Sequence, residues 1–291
     1  MKTLYISDLD GTLLSRDAEI SEFTANTLNR LIENGMHFSI ATARTYSTAV
    51  KILNKVNIQL PIIMMNGVVI FDLFKNKYLN TEKLDNQMAK EVIHLLKKHQ
   101  IGGLMYTIKD DIMSTYFDNI STPYMREFME HRQTQFGKVF IKSDSLLYEC
   151  RDDTVYFSVL DIKEKLECAL MDLKQIDGIH VEFYRDVYSD NMWEEELWFL
   201  EICDAKASKK SAVHYLREHY GFDQVVSFGD NLNDLPMFEE SDESYAVANA
   251  RVEVKSKATG CIESNVDDGV AKWLKKNGSI TFIVGLINYS F

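Results

Sequence analysis

The chain has 291 residues, of which 46% are hydrophobic and 26% charged, and its formal net charge at pH 7 is −12. This length suits one large or two modest globular domains. The negative charge argues against a general nucleic-acid binder, which needs clustered Lys and Arg, but it does not exclude a small phosphorylated ligand. The 4 cysteines contain no Cys-x-x-Cys pair, which favours reduced, mostly buried thiols over disulfides or a zinc site.

Neither end of the sequence resembles a membrane or export signal. The start, MKTLYISDLD, lacks the long apolar run of a signal peptide. The apolar run ITFIVGLI near the end is far shorter than the roughly 20 residues that a membrane helix requires. We therefore expect a cytoplasmic protein that has no membrane partner.

Strand and helix signals alternate over the first 80 residues. The segments TLYIS, HFSIAT and IIMMN predict buried strands. Helices are predicted after Ser21, a favourable N-cap, and over YSTAVKILNKV. This alternation is typical of βαβ units and a parallel sheet. The segment VVIFDLFKNKYLN then predicts a hairpin that turns near residues 75–77.

The middle of the chain changes character. A helix is predicted after Asp85, followed by the hairpin GLMYTI/STYF and by a helix that begins at Thr122-Pro123. The strands TVYFSVL, HVEFY and LWFLEIC complete this part, with a helix over residues 163–173. Strand–helix alternation returns with SAVHYLREHYG, VVSFGD, SYAVAN and DGVAKWLKKNG. The sequence therefore predicts an α/β fold: a Rossmann-like parallel sheet core with helices on both faces (residues 1–82 and 205–291) and an inserted α+β domain (83–204).

Polar side chains follow several of the predicted core strands. These residues are Asp8 and Asp10 after TLYIS, Thr42 after HFSIA, Asn66 and Gly67 after IIMM, and Asp230 with Asp234 after VVSFG. Lys209 begins the helix before the last of these strands. Because ligands bind at the carboxyl ends of strands in such sheets, we expect these groups to converge on one edge.

Gathered carboxylates repel one another unless a cation neutralises them, and Mg²⁺ prefers oxygen ligands. With the charge neutralised, one Asp of the Asp8/Asp10 pair can attack phosphorus as a covalent nucleophile. The other can pass protons to and from the leaving oxygen and water. Lys209 and the Thr42 hydroxyl would hold the phosphoryl oxygens as charge moves in the transition state.

Each of these residues alone has an ordinary structural explanation. An Asp-x-Asp pair can be a solvated turn, Thr42 a strand-end hydroxyl and Lys209 a surface charge. A calcium loop starting at Asp8 is disfavoured because Leu13 stands where that loop needs glycine. The order and placement of all the groups together favour a reactive site.

Four segments of the chain resemble a known superfamily. DLDGT, IATAR, ASKKSAV and GDNLNDLPM resemble the four successive motifs of the haloacid dehalogenase-like superfamily. The segments NGVVI and AVANA…SNVDDGVAKWL resemble its Cof-type sugar-phosphate phosphatase branch. The inserted domain is similar, by position and element order, to the cap domain of that branch.

This resemblance implies a role for each matching residue. Asp8 would be the nucleophile, and Asp10 the general acid and base whose backbone carbonyl also contacts Mg²⁺. Thr42 and Lys209 would bind the phosphoryl group, and Asp230 would be a metal ligand.

The remaining motif positions are less regular. Asp234 would be a direct metal ligand or a partner of one, and Asn233 would contact the phosphate. Ala43 replaces the usual glycine in the phosphate-binding second motif, and we expect its methyl group to restrict backbone approach to the phosphate. Lys210 replaces the glycine of the third motif, so Lys206 and Lys210 compete with Lys209 for the assignment.

The expected function is a Mg²⁺-dependent phosphomonoester hydrolase of a small phosphorylated metabolite, such as a sugar phosphate, acting through an aspartyl-phosphate. A phosphosugar mutase of the same superfamily and a non-catalytic phosphate-binding regulatory protein are the alternatives. The cap would select the substrate through side chains such as Tyr184, Trp193 or Trp198. We expect a monomer or homodimer that binds no nucleic acid, with residues 280–291 forming an extra edge strand or a dimer contact.

Overall fold

The computed structural model describes residues 1–120, 122–186 and 193–287, with only the backbone described for residues 279–287. The strands are β1 (Thr3–Ser7), β2 (His37–Ile40), β3 (Ile62–Met64), β4 (Val69–Asp72), β5 (Lys77–Thr81), β6 (Leu104–Lys109), β7 (Ile112–Phe117), β8 (Ile141–Lys142), β9 (Thr154–Ile162), β10 (Ile179–Arg185), β11 (Leu197–Asp204), β12 (Gln224–Gly229), β13 (Glu243–Val247) and β14 (Gly260–Ile262). The helices are α1 (Glu22–Glu33), α2 (Tyr46–Leu53), α3 (Asn86–Lys98), α4 (Pro123–Phe136), α5 (Leu146–Glu149), α6 (Lys163–Leu173), α7 (Lys209–Tyr220), α8 (Leu235–Glu240), α9 (Val252–Lys255) and α10 (Gly269–Ile287).

The chain divides into two compact units. The first, called the core unit here, contains Met1–Asn80 and the described residues from Ser208 onward. The second, called the cap unit, is the continuous segment Thr81–Ala207.

A five-stranded sheet in the order β14-β13-β12-β1-β2 forms the centre of the core unit. Every neighbouring pair in it is parallel, which confirms the predicted Rossmann-like arrangement. Helices α1 and α10 pack together, as do α7 and α8. Strands β1 and β12 are direct neighbours, with Ser7 opposite Phe228, so the segments that follow them start side by side.

Local signals explain where the helices of the core unit begin and end. Helix α1 starts after Ser21, whose side chain accepts a hydrogen bond from the backbone N–H of Thr24. Helix α7 starts after Ser208, which forms a capping box with Ser211, and it ends at Gly221 in the left-handed conformation. The capping box fixes the position of the residue that follows Ser208.

Strand β3 departs from the simple parallel arrangement. It meets the end of β2 through a single parallel bridge between Ala41 and Ile63. Its regular ladder is antiparallel to β4, within a separate sheet of order β3-β4-β5. The cause is the tight 3-10 turn Met65–Gly67, which returns the chain directly beside β3. The β4–β5 hairpin was predicted from the sequence, and it is confirmed.

The cap unit contains a six-stranded sheet of order β10-β11-β9-β6-β7-β8, which is antiparallel except for the β7–β8 pair. One face of this sheet and the helices α3, α5 and α6 enclose a hydrophobic core that includes Val92, Phe157, Leu166 and Leu200. Helix α4 packs against β9. The predicted α/β core with an inserted α+β segment is therefore confirmed as a fold class.

Three sequence expectations need correction. Residues 280–287 belong to helix α10 and form no edge strand, while residues 288–291 lie outside the described chain. The cysteines are free, but only Cys150 and Cys203 are buried, because Cys168 and Cys261 lie at exposed positions. The short elements β8, β14, α5, α8 and α9 were not predicted.

Among the described residues, none of the helices combines the length and apolar character needed to cross a bilayer.

Candidate active site

The buried carboxylate of Asp8 lies at the carboxyl end of β1. Its backbone N–H donates to the carbonyl of Phe228 at 3.0 Å, which extends the pairing with β12 by one residue. The Nζ of Lys209 lies 2.6 Å from Asp8 Oδ1 and 2.6 Å from Asp234 Oδ1. Lys209 is only 1% exposed, so its ammonium group is held between two carboxylates away from bulk water.

The loop after β12 is organised around Asp234. Its Oδ2 accepts the backbone N–H groups of Asp230 and Asn231, at 2.8 and 3.0 Å. A side chain at Gly229 would place its Cβ 2.6 Å from the Cβ of Asp234, so this position requires glycine. Asp234 therefore uses one oxygen to shape the loop and the other to hold Lys209.

Asp230 connects this loop with the one after β1. Its Oδ1 accepts a hydrogen bond of 2.8 Å from the Thr12 hydroxyl. Gly11 has a φ of +82°, and a Cβ there would lie 2.5 Å from Asp230 Oδ2. Glycine at this position of DLDGT therefore provides both the left-handed turn and the space for the carboxylate.

Asp8, Asp230 and Asp234 form one acidic cluster, because carboxylate oxygens from the three residues lie within 4.8 Å of one another. Burial raises the pKa of Asp8 well above its usual value, and the neighbouring aspartates raise it further against the opposing effect of Lys209. Burial and Asp234 raise the pKa of Asp230 to about 7. Burial would lower the pKa of Lys209, but the charges of Asp234 and Asp8 outweigh it and raise that pKa. The cluster thus has one cation for three acidic groups.

Thr42 lies at the end of β2, beside the β1 loop. Its backbone N–H donates to the carbonyl of Ile63 at 2.9 Å, and its hydroxyl oxygen accepts the backbone N–H of Arg44 at 3.1 Å. The adjacent Ala43 is exposed and does not have a left-handed φ, so its methyl group causes no backbone strain. The backbone conformation of Ala43 therefore gives no reason to expect that its methyl group restricts backbone approach to the phosphate.

Asp10 differs from the other aspartates. Arg44 donates two hydrogen bonds to its carboxylate, from Nε to Oδ2 at 2.8 Å and from Nη2 to Oδ1 at 2.7 Å. The Asp10 carboxylate is therefore engaged by a guanidinium group rather than by the acidic cluster. The metal contact that the resemblance implies for Asp10 is through its backbone carbonyl, which is not part of this ion pair.

The three competing lysines of the third motif differ in their exposure and in their contacts. Lys210 is exposed and pairs with Glu239 at 3.0 Å, and Lys206 is also exposed. Lys209, by contrast, is buried and contacts two members of the acidic cluster. Its place directly after the helix cap Ser208 accounts for this difference.

The turn after β3 contributes residues that carried no assigned role. Asn66 has a left-handed φ of 54°, and its Oδ1 accepts a hydrogen bond of 3.1 Å from Asn233 Nδ2. A Cβ at Gly67 would lie 2.1 Å from the carbonyl oxygen of Ser208, so glycine permits this turn to approach the start of α7. The sequence places the pair Asn66-Gly67 at a strand end, but it does not indicate which residues the pair contacts.

The three aromatic candidates in the cap unit lie in different environments. Trp198 packs against the helix-covered hydrophobic core and stacks on Phe183. Tyr184 lies on the opposite face of the sheet, where its hydroxyl donates to Glu201 at 2.9 Å. Trp193 packs edge-on against Tyr124. Trp198 therefore contributes to the packing of the hydrophobic core of the cap unit.

Comparisons with known proteins identify the family and the fold of this chain. A model of the haloacid dehalogenase-like hydrolase family matches residues 5–274. A haloacid dehalogenase-like hydrolase from Bacteroides thetaiotaomicron has the same fold, with a TM-score of 0.78 at 22% identity over 95% of this chain and 99% of that one. A structure from Thermotoga maritima gives a TM-score of 0.75 at 24% identity, over 95% and 97% of the two chains.

Curated relatives extend over almost the whole length. The 5-amino-6-(5-phospho-D-ribitylamino)uracil phosphatase YitU of Bacillus subtilis is 26% identical and covers 94% of this chain and 96% of its own. The pyridoxal phosphate phosphatase YbhA of Escherichia coli is 24% identical, over 92% and 95%. The prediction of a phosphatase is therefore confirmed, and the chain belongs to the haloacid dehalogenase-like hydrolases.

Proposed function

We propose that this protein is a Mg²⁺-dependent phosphomonoester hydrolase that acts on a small phosphorylated metabolite, such as a sugar phosphate, through a phosphorylated Asp8. The observation that carries the proposal is the convergence of Asp8, Lys209, Asp230 and Asp234 at the carboxyl ends of β1 and β12. The relatives named above are phosphatases, which supports hydrolysis over phosphoryl transfer within a sugar.

The acidic cluster fits a magnesium ion. Its donors are carboxylate oxygens, the ligand type that Mg²⁺ prefers, and the single Lys209 leaves the cluster with excess negative charge. We assign Asp8, Asp230 and the backbone carbonyl of Asp10 as metal ligands. Asp234 already binds Lys209 and two backbone N–H groups, so we assign it to holding these groups in place. When bound, the ion would neutralise negative charge on the carboxylates and on the phosphoryl oxygens.

The side chains of the site perform two successive displacements. An Asp8 oxygen attacks phosphorus, the bond from phosphorus to the leaving oxygen breaks, and Asp10 gives its proton to that oxygen. Asp10 then takes a proton from water as the water attacks the phosphorylated Asp8, which releases inorganic phosphate. Lys209 and the Thr42 hydroxyl donate hydrogen bonds to the phosphoryl oxygens throughout.

The geometry suits these donor roles. The Thr42 oxygen already accepts a hydrogen bond from Arg44, so its own proton can be directed to the phosphate. The Asn233 amide, oriented by Asn66, is a further donor that we assign to phosphate binding. Substrate selection we assign to the cap unit, where the packing of Trp198 against the hydrophobic core leaves Tyr184 and Trp193 as the aromatic candidates. The cytoplasmic location and the monomer or homodimer state stay predictions.

The test is phosphate release from a panel of phosphorylated metabolites, with Mg²⁺ and after exhaustive chelation. Asp8→Asn should lower turnover by several orders of magnitude and leave the melting temperature close to that of the wild type. Asp17→Asn, an exposed aspartate in the same part of the chain, is the matched control and should retain full activity. An Asp8→Asn variant with about a tenth of wild-type turnover, or full activity after chelation, would refute the proposal.

A further inference from the structure

The side chain of Arg44 makes a two-point contact in the core unit that the proposed function does not use. Its guanidinium group covers both oxygens of the Asp10 carboxylate, at 2.8 and 2.7 Å. Such a two-point, planar arrangement fixes the orientation of a carboxylate as well as its position, unlike an ordinary surface ion pair. The side chains are 19% and 28% exposed, so the pair is partly shielded from water yet accessible from outside.

The contact joins two loops that both carry site residues. Asp10 belongs to the loop after β1, and Arg44 to the loop after β2. The backbone N–H of Arg44 also binds the Thr42 hydroxyl oxygen at 3.1 Å. Arg44 therefore orients one group through its side chain and another through its backbone, and a side-chain substitution removes the contact with Asp10 while it keeps the backbone N–H that binds Thr42.

Asp10 needs such a partner because of its chemistry. Asp8 is held by Lys209 at 2.6 Å, whereas a general acid and base must stay outside the acidic cluster and face the leaving oxygen. A free aspartate side chain would sample several rotamers, and a misplacement of about 1 Å already costs much of the rate of a reaction that depends on positioning.

We propose that Arg44 is a positioning residue, which holds the Asp10 carboxylate in the orientation required for proton transfer with the leaving oxygen and water. This inference rests on the proposed function of the site. It predicts that substitution of Arg44 lowers kcat/KM in the same way as substitution of Asp10. The decrease should be largest for the substrate whose leaving group most needs a proton.

The test compares two substrates with different leaving groups. A sugar phosphate leaves as a strongly basic alkoxide and requires protonation, whereas 4-nitrophenyl phosphate leaves as a weakly basic phenolate. Arg44→Ala should lower kcat/KM for the sugar phosphate by about 10²-fold, and that for 4-nitrophenyl phosphate far less. Arg44→Lys, which keeps the charge but not the two-point geometry, should restore only part of the loss.

A double-substitution cycle separates positioning from a general structural role. If Arg44 acts only through Asp10, then Arg44→Ala should have no further effect on kcat/KM in an Asp10→Ala background. Mg²⁺ affinity, measured by calorimetry, should be unchanged by Arg44→Ala. Arg30→Ala, at an exposed arginine of α1, is the charge-matched control and should behave as the wild type.

Equal losses on the two substrates, or additive losses in the double variant, would overturn the positioning role and leave the proposed function intact. A wild-type protein that releases phosphate from neither substrate nor from the wider panel would overturn the proposed function, and this inference with it.

Discussion

Each unit of the molecule buries charged groups, but the two units compensate them differently. In the core unit, Asp8, Asp230 and Asp234 surround Lys209, which keeps its positive charge because the carboxylates raise its pKa, whereas burial and the neighbouring carboxylates raise the pKa of Asp8 and Asp230. In the cap unit, burial raises the pKa of Glu201 to about 7.

The cap unit also buries Lys138, and burial lowers its pKa to about 7. Its Nζ donates to the Tyr106 hydroxyl at 3.1 Å, and Glu201 accepts from the Tyr184 hydroxyl at 2.9 Å. Lys138 and Glu201, called the cap cluster here, each have a hydroxyl partner, and a pKa of about 7 lets either group take its neutral form near pH 7. The comparison indicates that three carboxylates around one cation favour the binding of a further cation, whereas one carboxyl group and one amine in the cap unit do not need one.

The largest expected difference between the clusters follows from removing a cation. Lys209→Ala leaves Asp8 and Asp234 without their shared donor, so it should lower kcat/KM by about 10²–10³-fold. In the absence of Mg²⁺ it should also lower the free energy of unfolding by about 3–5 kcal/mol, because buried charges lose their partner. Phosphate release and urea unfolding measure the two effects.

Lys210→Ala is the matched control for this prediction. Its side chain is exposed and pairs with Glu239, so both quantities should change little. If the two substitutions cause equal and small losses, Lys209 does not have the central position that its contacts indicate.

The sequence predicted the strands of the core unit more completely than the contacts that its turns and side chains make. The parallel strands and the groups at their ends follow from hydrophobic patterning and from the rule that ligands bind at strand ends. The pairing of β3 with β4 was not predictable, because it depends on the left-handed turn Met65–Gly67. The Arg44–Asp10 ion pair was missed for a similar reason: it joins side chains 34 positions apart, and the segment IATAR gave the only signal.

The clusters should also differ in how Mg²⁺ changes their response to pH. The pKa of Asp230 is raised to about 7 in the folded protein, so between its ordinary value and pH 7 the folded state binds a proton that the unfolded state does not. This contribution makes the metal-free protein more stable as the pH falls from 8 to 6. Bound Mg²⁺ requires the carboxylate, so its affinity should fall over the same range.

Melting temperatures between pH 6 and 8, with and without Mg²⁺, check this prediction. Asp230→Asn should remove the part of the pH dependence that Mg²⁺ abolishes. Glu201→Gln should remove a part of the same sign that is insensitive to Mg²⁺, because the pKa of Glu201 is also raised to about 7. A pH dependence that Mg²⁺ leaves unchanged would contradict the assignment of the core cluster as a metal site.

The smallest expected effect concerns Lys138, whose buried amine lies over the ring of Tyr106 at 4.4 Å from its centroid. The folded pKa of Lys138 is lowered to about 7, so above pH 7 the unfolded state binds a proton that the folded state does not, and this group makes stability rise with pH. Lys138→Met keeps a similar apolar length and should remove that rise while changing the free energy of unfolding near pH 7 by about 1 kcal/mol or less. Urea unfolding at pH 7 and pH 9 measures both, with Lys142→Met, at an exposed position of β8, as the control. A Lys138→Met protein that is several kcal/mol less stable at pH 7 would show that this lysine is a required charge, as Lys209 is expected to be, and the contrast between the two clusters would then fail.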